Sequence, residues 1–193
     1  MKYLINTMSL FIIIFLTSSC SNAVVYNPIS STTEANSSNG TVIAGIAQDG
    51  DSFQTIATLF IPVRPNIKMT WSVNTNPPRV LLLSTSFLNP TDVSYQVFNV
   101  PPGSYFLTRI DYFVNNRYYT VDYTHSKINF SVKAGEAIYI GNYIITPNVG
   151  DGQIPKMRIA KDETAAKNAL SEYMNVPGHA QMVTIIPSPP RPM

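Results

Sequence analysis

The residues able to carry acid–base, nucleophilic or metal chemistry are few and scattered. The chain has two histidines, His125 and His179. His125 sits in Tyr123-Thr124-His125-Ser126-Lys127, a predicted turn, and His179 follows Pro177-Gly178. Neither has a partner four residues away, the spacing at which one helix face offers two imidazoles to a metal. Both read as solvated loop residues. Asp49-Gly50-Asp51 and Asp151-Gly152 could suggest calcium, but neither runs on into ligand spacing with a closing Glu. They read as turns. No Gly-x-Ser-x-Gly elbow and no Gly-rich phosphate loop is written in the chain. No catalytic residue, metal site or cofactor is therefore assigned.

Asp111 and Asp122 fall across a predicted hairpin, on the same face as Arg109. Paired carboxylates can do acid–base work, but a surface ion pair between Arg109 and Asp122 is the better reading. Trp71, Phe113 and Tyr118 fall near predicted loop or polar-face positions. There they could stack on a glycan or dock a partner; the alternative is ordinary core packing.

The remaining chemical candidate is Cys20, the only cysteine among 193 residues. A lone thiol in a secreted chain needs an explanation. Residues 1–20 carry Lys2 at the start, an apolar run over 10–16, and then Thr17, Ser18 and Ser19 before Cys20. A short cationic start, a brief apolar stretch and a small-residue end make a secretory signal. The run is too short for a membrane span of about 20 residues. Leu16-Thr17-Ser18-Ser19-Cys20 resembles the lipobox of bacterial lipoproteins, with Thr17 where that family usually has Leu. The resemblance implies a signal over 1–19, diacylglyceryl transfer to the Cys20 thiol, and palmitate on the new N-terminus. Ser21 stands where an Asp would retain many such proteins at the inner membrane, which implies the outer membrane. The alternative is a plain signal cut near Ala23, with Cys20 discarded.

Composition agrees with this address. Charged residues make up 12% of the chain and apolar ones 45%, with a net charge of +2. The first figure is about half the usual share and the second is ordinary. Disordered charged tails, coiled coils and collagen are excluded, and so is a basic nucleic-acid groove. Lys2 belongs to the signal, so the mature chain is close to neutral.

The elements that must position these residues are mostly strands. Residues 20–40 are rich in Ser, Asn and Thr and read as the lipidated N-terminus and a flexible tether. Val24, Val25 and Tyr26 could instead add an edge strand. From residue 41 short apolar runs alternate with turn signals, the pattern of an all-β domain. Strands are expected at 41–47, 53–62, 69–73, 79–86, 94–100, 105–114, 117–123, 128–132, 136–145 and 156–160. One hairpin can be written in full. Asn tolerates positive φ, so a two-residue turn at Asn115-Asn116 opposes Val114 with Arg117, Tyr112 with Tyr119, Ile110 with Val121 and Arg109 with Asp122. That register puts Ile110, Tyr112, Tyr119 and Val121 on one face and Arg109, Asp111, Thr120 and Asp122 on the other. A slip of one residue would mix the sets.

Asp162 can cap a helix over about 163–174, with Glu163 four residues before Lys167 and an apolar stripe of Ala166, Ala169, Leu170 and Tyr173. The helix is expected over a sheet edge or end. Residues 180–186 read as a last strand and 187–193 as a Pro-rich extended tail. The expected fold is an antiparallel two-sheet β-sandwich with one C-terminal helix, spanning 41–186.

Val100-Pro101-Pro102-Gly103-Ser104-Tyr105 and the later run Val132-Lys133-Ala134-Gly135-Glu136-Ala137-Ile138-Tyr139-Ile140-Gly141-Asn142 carry a second resemblance. They are similar to segments of uncharacterised bacterial envelope lipoproteins with a prealbumin-like or carboxypeptidase-regulatory-like β-sandwich. The resemblance implies fold and envelope location and brings no catalytic residues. The expected function is a non-enzymatic, lipid-anchored binding or assembly module. Its expected partners are the membrane, through its acyl chains, and an envelope protein, with no nucleic acid. The alternatives are an envelope enzyme using Asp49, Asp51, Asp111 or Asp122 on cell-wall material, and a secretion-apparatus subunit.

Overall fold

The structure, a computed structural model, describes residues 23–29, 37–49, 67–75, 77–85, 91–114, 117–147, 154–173, 178 and 181–187. Cys20, the predicted strand at 53–62 and the 188–193 part of the tail lie outside them. In chain order the elements are β1 (Val24–Tyr26), β2 (Gly40–Gln48), β3 (Lys68–Val73), β4 (Arg79–Ser84), β5 (Ser94–Val100), β6 (Gly103–Val114), β7 (Arg117–Asp122), β8 (Asn129–Val132), β9 (Ala137–Thr146), β10 (Lys156–Ala160), α1 (Glu163–Ser171) and β11 (Val183–Thr184). Two sheets result. The first runs β1-β4-β3-β6, with β7 and β8 sharing the far edge of β6. The second runs β10-β9-β2-β5, with β11 also on β9.

Both sheets are mixed, which corrects the antiparallel expectation. β1 pairs with β4, β2 with β9 and β11 with β9 in parallel. Strand periodicity reports which residues face a core, not which strand lies alongside. Parallel neighbours need a long crossover, and between β2 and β9 the chain supplies it by building β3, β4, β6, β7 and β8 of the first sheet.

The hairpin follows the register argued above. Arg109 opposes Asp122, Ile110 opposes Val121, Tyr112 opposes Tyr119 and Val114 opposes Arg117. The Tyr112 and Tyr119 rings stack at 5.2 Å, the cross-strand aromatic contact that stabilises such pairs.

The inward faces of both sheets share one apolar cluster. It takes Met69, Trp71, Leu81, Leu83, Tyr105, Leu107, Ile110 and Tyr112 from the first sheet and Val42, Ile46, Phe98, Ile138, Ile140 and Tyr143 from the second. Trp71 lies at its centre, 5.1 Å from the Phe130 ring and 5.6 Å from the Tyr143 ring. A buried aromatic of this size is worth about 3–5 kcal/mol against Ala.

Two expectations about the chain ends are corrected. Residues 24–26 form the edge strand that stood as the alternative to a tether, and Ile29 is buried, its N–H donating to the Val97 carbonyl at 2.8 Å. Short apolar pairs inside a polar stretch carry too little period to show this. Among the described residues of the expected 180–186 strand, which begin at 181, only Val183–Thr184 are paired as strand.

Each sheet's longest strand carries an extra residue. On β6, Thr70 of β3 opposes Arg109 while Trp71 opposes Leu107, so Thr108 is left over. On β9, Ile43 of β2 opposes Tyr139 while Gly45 opposes Asn142, so Ile140 and Gly141 together face Ala44. A bulge reverses which residues point inward. On β6 Tyr105 and Leu107 give way to Ile110 and Tyr112, and on β9 Ile138 and Ile140 give way to Tyr143 and Ile145. The bulges thus decide what each sheet shows on its outer face.

Candidate functional surface

The outer face of the second sheet is covered. α1 begins at its cap, where the Asp162 carboxylate accepts from the Ala165 N–H at 2.9 Å. This is the expected N-cap, satisfying one orphan donor of the first turn. Ala166 and Leu170 are buried against Ile43, Val97, Ala137 and Tyr139. The helix therefore lies on a sheet face, not on an edge. Glu163 turns back from Lys167: it pairs with Lys161 at 2.9 Å and accepts from the Thr184 hydroxyl at 2.6 Å. These contacts hold its carboxyl below the usual range, the Thr184 bond first.

Beneath the start of α1 lies a closed polar network. The Tyr139 hydroxyl donates to Asn142 Oδ1 at 2.7 Å and accepts from the Asp162 backbone N–H at 3.1 Å. Asn142 Nδ2 donates to the Tyr95 hydroxyl at 2.9 Å. The bulge builds this set, because without the extra residue Tyr139 and Asn142 would face opposite sides. Gly141 makes it with φ +97, and a Cβ there would stand 2.7 Å from Ile159 Cγ2. Gly45 leaves the room, since its Cβ would stand 2.2 Å from Asn142 Oδ1. Burial pushes Tyr139 up to about 12 and raises Tyr95 too. Both phenols stay protonated at neutral pH and act as fasteners. The Tyr139-Ile140-Gly141-Asn142 run is thus a structural device.

The outer face of the first sheet differs. Among the described residues no helix or strand lies across it. One cross-strand row reads Val25, Val80, Ser72, Phe106 and Asn129. A second reads Ser84, Lys68, Asp111 and Thr120. Phe106 is 43% exposed and Tyr118 82% exposed, although Thr70 in the middle is buried. Hydroxyls line the rows: Ser72 and Thr108 are 3.1 Å apart, and Ser104 and Ser131 are 2.7 Å apart.

The sequence candidates fall out as follows. Trp71 is fully buried, which corrects its reading as a partner or glycan contact. It sits on the same side of β3 as Met69, and so belongs to the core. Tyr118 is on the open face. It opposes Phe113, whose side chain lies outside the described residues, as do His179, Asp51 and Asp151. His125 is in an exposed turn. Asp49 accepts from the Thr146 hydroxyl at 3.3 Å.

Arg109 pairs with Asp111 at 2.9 Å, not with Asp122 as expected. Asp111 also accepts from the Thr120 hydroxyl at 2.7 Å. Asp122 bends to its own turn, accepting from the Thr124 N–H at 2.7 Å and from its hydroxyl, and these bonds hold its carboxyl below the usual range. Such a group is an acceptor, poorly suited to give up a proton at neutral pH. Among the described residues no three His, Cys, Asp or Glu side chains gather as metal ligands.

Phe106 went unremarked in the sequence. Its signal was there: a strand whose inward residues are odd-numbered at Tyr105 and Leu107 but even-numbered at Ile110 and Tyr112 must carry a bulge. Phe106 then falls on the outer side. No family model, curated protein or solved structure matches the chain.

Proposed function

We propose that this chain is a lipid-anchored binding or assembly module of the bacterial cell envelope, held through Cys20 and acting without catalysis. Its two sheets form a sandwich whose first sheet presents its outer face to an envelope partner. The observation that carries this reading is the asymmetry between the faces. One is sealed by α1 over a closed tyrosine–asparagine network, and the other offers Phe106 and Tyr118 among hydroxyls and paired charges. Flat aromatics beside hydroxyls suit stacking on a sugar or packing against a protein strand. The engagement of Asp111 with Arg109 and Thr120, and of Asp122 with its own Thr124 turn, supports a binding role over an acid–base one. The Ser21 position favours the outer membrane.

Two experiments test the reading. A photo-crosslinking residue at Phe106 or Tyr118 should capture one partner in intact cells, and Phe106→Glu should abolish capture from position 118 while the protein still folds. Capture that survives Phe106→Glu, or none at either position, would refute the surface. Cys20→Ala should remove palmitate labelling and free the protein from membranes; unchanged labelling would refute the anchor.

A further inference from the structure

Strand β1 begins four residues after Cys20. An extended chain covers at most about 3.6 Å per residue, so Val24 lies within roughly 14 Å of the cysteine in any conformation. The segment that follows is fastened to both sheets. The Val24 N–H donates to the Pro78 carbonyl at 2.8 Å, Tyr26 packs on the shared core, and Ile29 bonds to β5. Val24 and Val25 are 41% and 45% exposed at the edge of the first sheet. Their surroundings suit a lipid headgroup layer. Residues 21–33 carry no charge, and the β3–β4 connection at 74–78 adds none. The nearest ionic group by register is the cation of Arg79, opposite Val24.

We infer that the β1 edge, with Val24, Val25 and the Pro77-Pro78 turn beside it, rests on the bilayer that holds the anchor. The sandwich then stands on that edge. This rests on the acylation of Cys20 proposed above and says how the anchored body is oriented. The strand path β1-β4-β3-β6-β7 becomes a path away from the lipid. With neighbouring strands about 4.8 Å apart, β7 and Tyr118 stand about 19 Å further out than β1. The outer face of the first sheet is then perpendicular to the membrane and open to a partner along its whole height. A tether of some twenty residues would have allowed any orientation; the strand leaves the anchor little choice.

The test uses the full-length acylated protein, reconstituted into vesicles of phosphatidylethanolamine and phosphatidylglycerol with a nitroxide on a fraction of the headgroups. Acylation blocks Cys20, so a fluorophore attaches only to the new thiol of Val25→Cys or Tyr118→Cys. Both positions are exposed, and retained melting temperatures show that the variants fold. The label at position 25 should be quenched by the nitroxide lipid and the label at position 118 should match its quencher-free control. Equal quenching at both positions, or none at position 25, with the acyl mass present on Cys20, overturns the orientation and leaves the anchor standing. An unmodified Cys20 by mass spectrometry overturns the anchor and the orientation together. Energy transfer between two differently labelled Val25→Cys molecules would show that β1 edges pair with each other, and overturns the lipid contact.

Discussion

The two long strands, β6 and β9, face one problem and meet it differently. Each runs the length of its sheet and each takes in an extra residue that turns its pattern over. On β9 the extra residue is closed over by Ile159, Ala160 and Ile186, and the Tyr139 hydroxyl beside it meets the start of α1, so its consequences are buried. Gly141 takes a φ that other residues resist, Gly45 clears the space opposite, and Tyr139, Asn142, Tyr95 and the Asp162 N–H close on one another. On β6 the extra residue faces outward. Thr108 suffices, with its hydroxyl 3.1 Å from the Thr70 carbonyl and 3.1 Å from the Ser72 hydroxyl. A covered bulge must satisfy every polar group and fit every atom. An open one has water and room, so its side chains can be those a partner requires.

Substitutions along the two strands can break that contrast. The largest effect is expected at Gly141→Val. The backbone strain costs about 1–3 kcal/mol, and the branched side chain must also displace Ile159 and Ile186. Soluble folded protein should be lost or its denaturation midpoint should fall steeply. A variant as stable as the parent would show that the covered bulge tolerates side chains.

Tyr139→Phe is next. It leaves Asn142 Oδ1 and the Asp162 N–H without their partner, at about 1–3 kcal/mol, measured by urea unfolding. The same hydroxyl gives an alkaline signature. A phenol held at about 12 in the fold and near 10 when unfolded adds stability below pH 10. That contribution is lost as pH rises through the folded value, and Tyr139→Phe should flatten this alkaline slope.

Thr108→Val should cost less, about 0.5–1.5 kcal/mol. A cost equal to that of Tyr139→Phe would erase the distinction between the strands. Smallest is Thr124→Ala at the end of the hairpin. The Asp122 carboxyl titrates below its ordinary value, so its contribution is present above pH 3.8 and fades as pH falls through the folded value. Losing the Thr124 hydroxyl should move the Asp122 titration upward by NMR, part of the way only, because the backbone N–H bond remains.

Local chemistry was readable where it acts alone. The hairpin register came from two asparagines and a two-residue period, and the helix cap came from Asp162 and its stripe. Where several elements meet, the text was silent. Trp71 looks no different on a polar face than in a core until β3 finds its neighbours. Arg109 had a carboxylate across the strand and another two residues along. Only the bent Thr124 turn, which occupies Asp122, decided between them.

The amino-acid order by itself determined most of the strands among the described residues, the capped helix and the single thiol behind an apolar segment. Each follows from period, capping or covalent position within a few residues. The parallel pairing of β2 with β9, the sealing of one sheet face, and the recruitment of Val24–Tyr26 as an edge strand belong to the tertiary structure. Those outcomes depend on which surfaces meet after the chain has crossed from one sheet to the other. No local pattern encodes that crossing, because the free energy deciding it comes from burying faces distant in sequence.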